Sequence, residues 1–486
     1  MPQQHFDRLT AVDASFLVQE GPTSHMHIGA IATFEGPPPP FDHFLDNIRM
    51  RLHLVPRYRQ RLSFPPLESG RPVWVDDESF NLEYHVRQTA LPRPGTGQQF
   101  VRLASRIFSQ QLDRSKPLWE LWLVEGLDNG RWALISKTHH SVIDGIAGVD
   151  LATVLFDVQQ DPPPIQHPDA AWAPAAEPTP AELVASGAIG AARTVVDGAR
   201  RVGRLLAQPQ AVLGEARDGV EGLSELVWAG LNPAPDTPLN VEIGPHRRYR
   251  SVHGSLEDFK LIKNTFGGTV NDVVLTVVSG ALRTWLRSRG VRTEGLELRA
   301  LVPVSTRTKN DRGEMGNSIV VMRGPLPVYI EDPIARLRVV RQAMDGLKES
   351  KQAVGAEVIA GAQNFAPPTI LAQASRLNFS TRLFNMIVTN VPGPQFPLYV
   401  AGRRMVDLYP IAFLPKDHAL AIAIMSYDGQ LNFGLLGDYD ALPDIDAFAG
   451  YVRDAIDELL DVARERVGAG NGSGNGRART PVGSGA

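Results

Sequence analysis

The chain contains no cysteine, and this absence removes several classes of chemistry at once. Disulfides, thiolate zinc sites and cysteine nucleophiles are excluded, and such a composition is compatible with a reducing cytoplasm. An excess of one charge is also missing, since 49 Lys and Arg residues stand against 53 Asp and Glu residues, for a net charge of −4. Without a basic excess, nucleic acid is not an expected partner.

Long apolar runs are absent as well. No window approaches the roughly 20 apolar residues that a membrane-spanning helix requires. Residues 1–8 lack the basic and apolar regions of a signal peptide, so none is expected. Any contact with a membrane should therefore be peripheral. The chain also has no G-x-S-x-G elbow, no P-loop and no G-x-G-x-x-G turn, which removes the commonest hydrolase and nucleotide-binding motifs.

The composition is that of a globular protein, with 43% hydrophobic and 21% charged residues over 486 positions. This length is too great for one ordinary core and predicts two domains. Strand-like and helix-like segments alternate in both halves, which predicts an α/β fold with mixed sheets. The predicted limits are 1–160 for an N-terminal domain, 161–237 for a connector, 238–467 for a C-terminal domain and 468–486 for a disordered tail.

The connector begins with a stretch rich in Pro and Ala that predicts an extended linker. Residues 181–231 have helical character with interleaved Arg and Val, and two interpretations of them stay open. They form either interdomain helices packed over the body or a basic amphipathic surface for anionic membranes and lipid droplets. Two joined α/β halves would leave a cleft, which is a common place for a ligand.

The stretch His139-His140-Ser141-Val142-Ile143-Asp144-Gly145 lies between a predicted strand at 132–137 and a predicted helix at 146–156. Neighbouring side chains of a strand face opposite sides, so only one of the two histidines should face a cleft. A neutral imidazole exchanges a proton near pH 7, which predicts a general base acting on a hydroxyl acceptor. The alternative is a structural histidine pair with an Asp-Gly turn that caps a helix. The spacing fits no common zinc motif, so no metal is expected.

Several segments resemble those of one known family. The stretch 139–145 matches the HHxxxDG motif of the acyl-CoA-dependent acyltransferase superfamily. Segments that resemble those of bacterial wax ester synthase/diacylglycerol acyltransferases are Pro117-Leu118-Trp119 (their PLW motif), Asn271-Asp272 (their ND motif), 390–394 (their NVPGP segment), 9–29, 303–307 and 316–317. The resemblance runs in order from near residue 9 to past residue 440.

The resemblance implies two chloramphenicol acetyltransferase-like domains with a tunnel between them. It also implies roles within the HHxxxDG motif. His140 would be the general base and His139 would support it from the other face. Asp144 would be structural and pair with an arginine, for which Arg307 is one candidate. Gly145 would relieve backbone crowding at the corner.

Outside that motif, the resemblance implies a second set of site residues. Asn271 is the candidate donor to the oxyanion, with a plain helix N-cap as the alternative. Pro117, Leu118 and Trp119 are assigned to shaping the substrate site, with a core aromatic residue as the alternative for Trp119. Asn390 is expected to fix a strand end near the tunnel.

The implied activity is transfer of a long fatty acyl group from acyl-CoA, as co-substrate and without a further cofactor, to the hydroxyl of diacylglycerol and also of long-chain alcohols. The Ala-, Gly- and Arg-rich composition resembles that of actinobacteria that store triacylglycerol, which favours diacylglycerol. The expected location is cytoplasmic, peripherally on the inner membrane face or on lipid inclusions, with the oligomeric state left open. Two alternatives remain: a condensation-type enzyme that takes its acyl group from a carrier protein, and a non-catalytic lipid-inclusion binding protein.

Overall fold

The structure is a computed structural model that describes residues 6–66, 70–142, 156–163, 172–187, 232–305, 319–349 and 379–472. Its helices are α1 (Ala11–Gln19), α2 (Phe41–Arg51), α3 (Leu82–His85), α4 (Gly97–Ser109), α5 (Leu256–Phe266), α6 (Val270–Ser288), α7 (Pro333–Glu349) and α8 (Ile445–Gly472). Its strands are β1 (Asp7–Arg8), β2 (His27–Phe34), β3 (Gln60–Ser63), β4 (Val73–Asp76), β5 (Val86–Ala90), β6 (Trp119–Glu125), β7 (Trp132–His139), β8 (Arg247–Ser255), β9 (Leu298–Ser305), β10 (Ile319–Leu326), β11 (Met386–Val391), β12 (Tyr399–Val400), β13 (Arg403–Ile411), β14 (Leu420–Tyr427) and β15 (Gln430–Asp438).

The first half of the chain is built on a six-stranded mixed sheet of order β12-β13-β2-β7-β6-β5. Strands β6 and β7 are antiparallel, and the turn between them holds Gly130 at φ +71°, as the Asn-Gly pair predicts. Strands β2 and β7 are also antiparallel and place His27 opposite His139. The strands β12 and β13 come from the second half of the chain, so the sheet that carries the histidine motif is completed by distant residues. The first half of the chain also forms a separate three-stranded sheet of order β1-β4-β3.

The second half is built on another six-stranded sheet, of order β10-β9-β11-β14-β15-β8, in which β11 runs parallel to both neighbours. Helix α6 contacts α7 and α8 and is buried along most of its length, which explains its apolar sequence. Among the described residues, no single helix is long and apolar enough to cross a membrane. The consecutive helices α5 and α6 reach that length and hydropathy only together, with a bend of 98° between them.

The two large sheets are joined at two places. Helix α4 of the first half contacts β8 of the second sheet, and β13 of the first sheet contacts β15 of the second. The hydroxyls of Ser105 and Ser109, on α4, accept hydrogen bonds from the backbone N–H groups of Tyr249 (3.0 Å) and Arg247 (2.8 Å), on β8. Where β15 meets β13, a Cβ on Gly434 would overlap the carbonyl oxygen of a β13 residue, so only glycine permits this approach. One buried apolar cluster contains residues of both halves, so the two halves share a core.

Several predicted boundaries need correction. The sequence of residues 84–86 predicts a short strand, but Tyr84 and His85 belong to α3, whose first turn is capped by the Asn81 side chain. The predicted disordered tail began at Gly468, whereas α8 continues to Gly472. Two predictions lie outside the described residues: the helix at 146–156, of which only Phe156 is described, and residues 188–231 of the connector.

Candidate active site

The two histidines of the motif occupy different secondary structures. His139 is the last residue of β7, and its N–H donates to the Leu118 carbonyl at 3.0 Å. His140 begins a short 3₁₀ helix, His140–Val142, and its N–H donates to the Met26 carbonyl at 2.8 Å. His139 is 0% exposed, whereas His140 is only half-buried. The two rings have different surroundings, as expected. The reason differs from the expected one, because β7 ends at His139 and His140 already belongs to the 3₁₀ helix, so the two side chains do not alternate along one strand.

The His140 ring lies among aromatic side chains from both halves of the chain. It stacks on Phe16 of α1, with centroids 4.0 Å apart and ring planes 23° apart. It meets Phe413, which follows β13, edge to face at 5.6 Å. Phe379 in turn contacts both Phe16 and Phe413. This apolar surround fixes the ring orientation and would exclude water from part of the imidazole.

His139 is fully enclosed and binds the following turn. The backbone N–H of Ser141 donates to His139 Nδ1 at 3.1 Å, and the Ser141 hydroxyl lies 2.6 Å from the same nitrogen. Burial lowers the pKa of His139 to about 3, so its ring is neutral at physiological pH. His139 therefore supports the turn that presents His140 and does not itself exchange protons near pH 7.

A buried carboxylate lies beside His139, and the sequence did not single it out. Glu20 follows α1, and its Oε2 lies 2.7 Å from Arg114 Nε and 3.7 Å from His139 Nε2. Its Oε1 lies 3.3 Å from the Nε2 atom of His27. Burial alone would raise the pKa of Glu20, but the His27 hydrogen bond and the charge of Arg114 lower it to about 2. Burial also lowers the pKa of His27 to about 4.

The segment Pro117-Leu118-Trp119 is buried and forms part of the core behind the motif. Trp119 is 1% exposed, donates from Nε1 to the Tyr58 carbonyl at 2.9 Å and stacks between Tyr58 and His85. Leu118 accepts the His139 N–H through its carbonyl. The segment therefore fixes the end of β7 from the inside. Its expected role in shaping the substrate site stays a prediction.

The structure brings Asn271 and Asn390 together. Both are half-buried, and Asn390 Nδ2 lies 3.5 Å from Asn271 Oδ1, at the outer limit of a hydrogen bond. The N-cap of α6 is Thr269, whose hydroxyl accepts from the Asp272 N–H while Asp272 Oδ2 accepts from the Thr269 N–H at 2.7 Å. The N-cap alternative for Asn271 is therefore wrong, and its side chain belongs to the first turn of the helix. Its role toward an oxyanion stays a prediction.

Asp144, Gly145 and Arg307 lie outside the described residues, so the expected pairing of Asp144 with an arginine is a prediction as before. Within the described residues, no group of three or more His, Asp or Glu side chains could hold a metal ion. The arrangement built around His140 can take up and release a proton at one imidazole, which is held by an apolar surround and by a neutral, buried neighbour.

Comparisons with known proteins agree on one family. Residues 9–274 match the model of the wax ester synthase/diacylglycerol acyltransferase catalytic domain, and residues 315–460 match that of the WS/DGAT C-terminal domain. "Probable diacyglycerol O-acyltransferase tgs1" of Mycobacterium tuberculosis (strain H37Rv) is 34% identical over 475 residues, covering 95% of this chain and 97% of that protein. The wax ester synthase/diacylglycerol acyltransferase of Marinobacter aquaeolei VT8 has 28% identity and a TM-score of 0.65, covering 94% of this chain and 100% of that one.

The fold has a wider distribution than the family. The first condensation domain of the calcium-dependent antibiotic synthetase has a TM-score of 0.55 at 17% identity and covers 95% of this chain and 98% of its own. At this identity, the likeness concerns the fold alone. The expected architecture of two chloramphenicol acetyltransferase-like domains is confirmed.

Proposed function

The chain belongs to the wax ester synthase/diacylglycerol acyltransferase family, and from this premise we propose that His140 is the general base with which this O-acyltransferase esterifies diacylglycerol. The acyl donor is a long-chain acyl-CoA, and long-chain alcohols serve as additional acceptors. The single observation that carries the proposal is the position of His140. It is the half-buried histidine of the motif, at the strand end, with its ring held between Phe16 of the first half and Phe413 of the second.

The reaction requires one proton to be moved twice. His140 removes the proton of the acceptor hydroxyl as that oxygen attacks the thioester carbonyl, and a tetrahedral oxyanion forms. When the intermediate collapses, the carbon–sulfur bond breaks, and His140 returns the proton to the leaving thiolate of CoA. The products are an ester and free CoA, so the balance requires no cofactor. An imidazole suits both steps because its ordinary pKa lies near the working pH.

The oxyanion requires a preorganised donor, and Asn271 is assigned to this role. The amide oxygen of Asn271 faces Asn390 Nδ2, which leaves its own NH₂ group to donate elsewhere. A single donor of this kind typically contributes about 3 kcal/mol to transition-state stabilisation. In this scheme Asn390 holds the orientation of the Asn271 amide, which extends its expected role at a strand end.

The nature of the acceptor also determines where in the cell the protein must act. Diacylglycerol is insoluble in water and resides in membranes or lipid inclusions, so the protein must approach such a surface to reach it. We assign it a cytoplasmic location with peripheral attachment to the inner membrane face or to lipid inclusions. Flotation of the purified protein with anionic vesicles tests this part: protein that stays at the bottom of the gradient at all lipid concentrations would contradict it.

An acceptor competition assay tests the proposed activity. Purified protein is given one radiolabelled long-chain acyl-CoA, with diacylglycerol and a long-chain alcohol together, and with no carrier protein. Labelled triacylglycerol as the main product, with a smaller amount of wax ester, is the expected result. Absence of both esters, or their formation only after a carrier protein is added, would contradict the proposal.

A further inference from the structure

A buried carboxylate lies behind the histidine motif and contacts three separate elements. The Glu20 side chain is only 3% exposed. Its partners are His27 on β2, His139 on β7 and Arg114, which follows α4. A buried charge is destabilising unless it is paired, so Glu20 cannot be treated as an ordinary solvated surface carboxylate. Its position calls for a role within the protein.

The hydrogen bonds of His139 determine which of its nitrogens carries the proton. The Ser141 backbone N–H donates to His139 Nδ1, and because a backbone N–H can only donate, Nδ1 must present a lone pair. The neutral ring therefore carries its proton on Nε2. That nitrogen has no hydrogen-bond partner among the described residues, and it lies 3.7 Å from Glu20 Oε2. The negative charge of Glu20 at this distance favours a proton on Nε2 and disfavours a lone pair on that nitrogen.

The same tautomer supports the position of His140. The bond from Ser141 to His139 closes the turn at which β7 ends and the 3₁₀ helix begins. This turn takes His140 out of the strand and places its ring on Phe16 of α1. With the proton on Nδ1 instead, two N–H groups would face each other, and the turn would lose its backbone hydrogen bond and keep only the contact with the Ser141 hydroxyl.

Glu20 also contacts helix α1, whose Phe16 side chain stacks on the His140 ring. It caps the C-terminal end of α1, the helix that carries Phe16. Arg114 binds the Glu20 carboxylate and donates from Nη2 to the Leu17 carbonyl in the last turn of α1 at 2.8 Å. One carboxylate thus links the helix that packs on the His140 ring with the imidazole that closes the turn beneath it.

We propose that Glu20 is a positioning residue for acyl transfer, whose carboxylate holds His139 in the Nε2–H tautomer and so fixes the turn that presents His140. The inference rests on the proposed role of His140, and it adds a residue that touches neither substrate. Because it concerns orientation and not substrate binding, Glu20 should affect kcat and leave KM unchanged.

The test compares two conservative variants of buried carboxylates in the same half of the chain. Glu20→Gln keeps the shape but removes the charge. Glu120→Gln is the matched control, since Glu120 is 6% exposed and pairs with Arg87 and Lys137 instead of the histidines. Glu20→Gln is expected to lower kcat about tenfold or more with KM for acyl-CoA within about twofold of wild type. Glu120→Gln is expected to keep kcat. Equal kcat in Glu20→Gln and wild type, or an equal loss in both variants, would overturn the proposal.

Two further measurements separate positioning from charge balance and from the proposed function. The double variant Glu20→Gln/Arg114→Gln removes both charges; recovery of kcat in it would mean that Glu20 only neutralises Arg114, and the inference would be wrong. Nitrogen NMR of ¹⁵N-histidine-labelled wild-type protein reads the tautomer of His139 directly, with His139→Gln identifying the signal. A proton on Nε2 is the expected result and one on Nδ1 overturns the inference, whether or not His140 proves to be the base and even if Glu20→Gln does not fold.

Discussion

Acidification from pH 7 to pH 5 is expected to destabilise the protein through two buried imidazoles. Burial lowers the pKa of His27 to about 4 and that of His139 to about 3, whereas an unfolded histidine titrates near pH ~6.5. Between these values the unfolded chain binds protons that the folded chain does not bind. The stability that these two neutral imidazoles confer is therefore complete above about pH 6.5 and is lost as the pH falls toward their folded pKa values.

The size of the effect follows from these pKa values. At pH 5, each histidine costs the folded state about 2 kcal/mol relative to pH 7, or about 4 kcal/mol for the pair. His25, His85 and His418 add to the loss in the same direction, since burial lowers their pKa values too. Glu20 does not contribute in this window, because its folded pKa of about 2 lies below its ordinary value, and its contribution is lost only below about pH 4.5.

Urea denaturation followed by tryptophan fluorescence at pH 7, 6 and 5 measures the loss. His27→Gln is expected to remove about 2 kcal/mol of the difference between pH 7 and pH 5, whatever its effect on stability at pH 7. The control is His43→Gln, which removes an exposed histidine of α2 in place of a buried one. A wild-type stability that is flat from pH 7 to pH 5, or a His27→Gln variant that keeps the full difference, would refute the assignment of neutral buried histidines.

Three further substitutions test separate parts of the structure. Asp272→Ala removes the capping box of α6 and is expected to lower the free energy of unfolding by about 1–2 kcal/mol, measured by urea denaturation; no change would mean that Thr269 caps the helix alone. Trp119→Phe loses the hydrogen bond to the Tyr58 carbonyl and leaves a cavity, so the free energy of unfolding should fall by about 2–3 kcal/mol. If Trp119 serves only the core, KM for acyl-CoA will stay unchanged, and a raised KM would instead support a substrate contact. Asn271→Ala should lower kcat about 100-fold with KM little changed, as for the loss of one oxyanion donor, and an unchanged kcat would remove Asn271 from that role.

Local elements could be predicted from the sequence because their signals are local. The sequence predicts a helix at 256–266 that ends at Gly267-Gly268. Helix α5 has these limits, and both glycines adopt positive φ. The sequence also predicts strands at 298–305 and 420–427, because each is a short apolar run. Strands β9 and β14 have these limits. In contrast, the start of α6 was misplaced, since Asn271 and Thr269 are both acceptable caps and only the bond to Asp272 distinguishes them.

Long-range features could not be predicted in this way. Nothing in residues 399–411 shows that β12 and β13 pair into the sheet of the first half, because strand pairing across such a distance depends on the whole fold. His140 was selected by its motif, but its contact with Phe413 joins residues of both halves. Glu20 is a single carboxylate at a helix end, and in the sequence it resembles an ordinary surface residue. Only the fold shows that Arg114, His27 and His139 surround it.

Measurement of kcat for His140→Ala with acyl-CoA and diacylglycerol shows whether His140 moves the proton in acyl transfer. His43→Ala is the control, and circular dichroism and urea denaturation establish that both variants fold. We expect His140→Ala to lower kcat by about 1,000-fold or more, since a general base contributes about 10²–10⁴-fold and the thiolate also loses its proton donor. His43→Ala should keep wild-type turnover. A folded His140→Ala variant with near wild-type kcat would mean that His140 is not the general base.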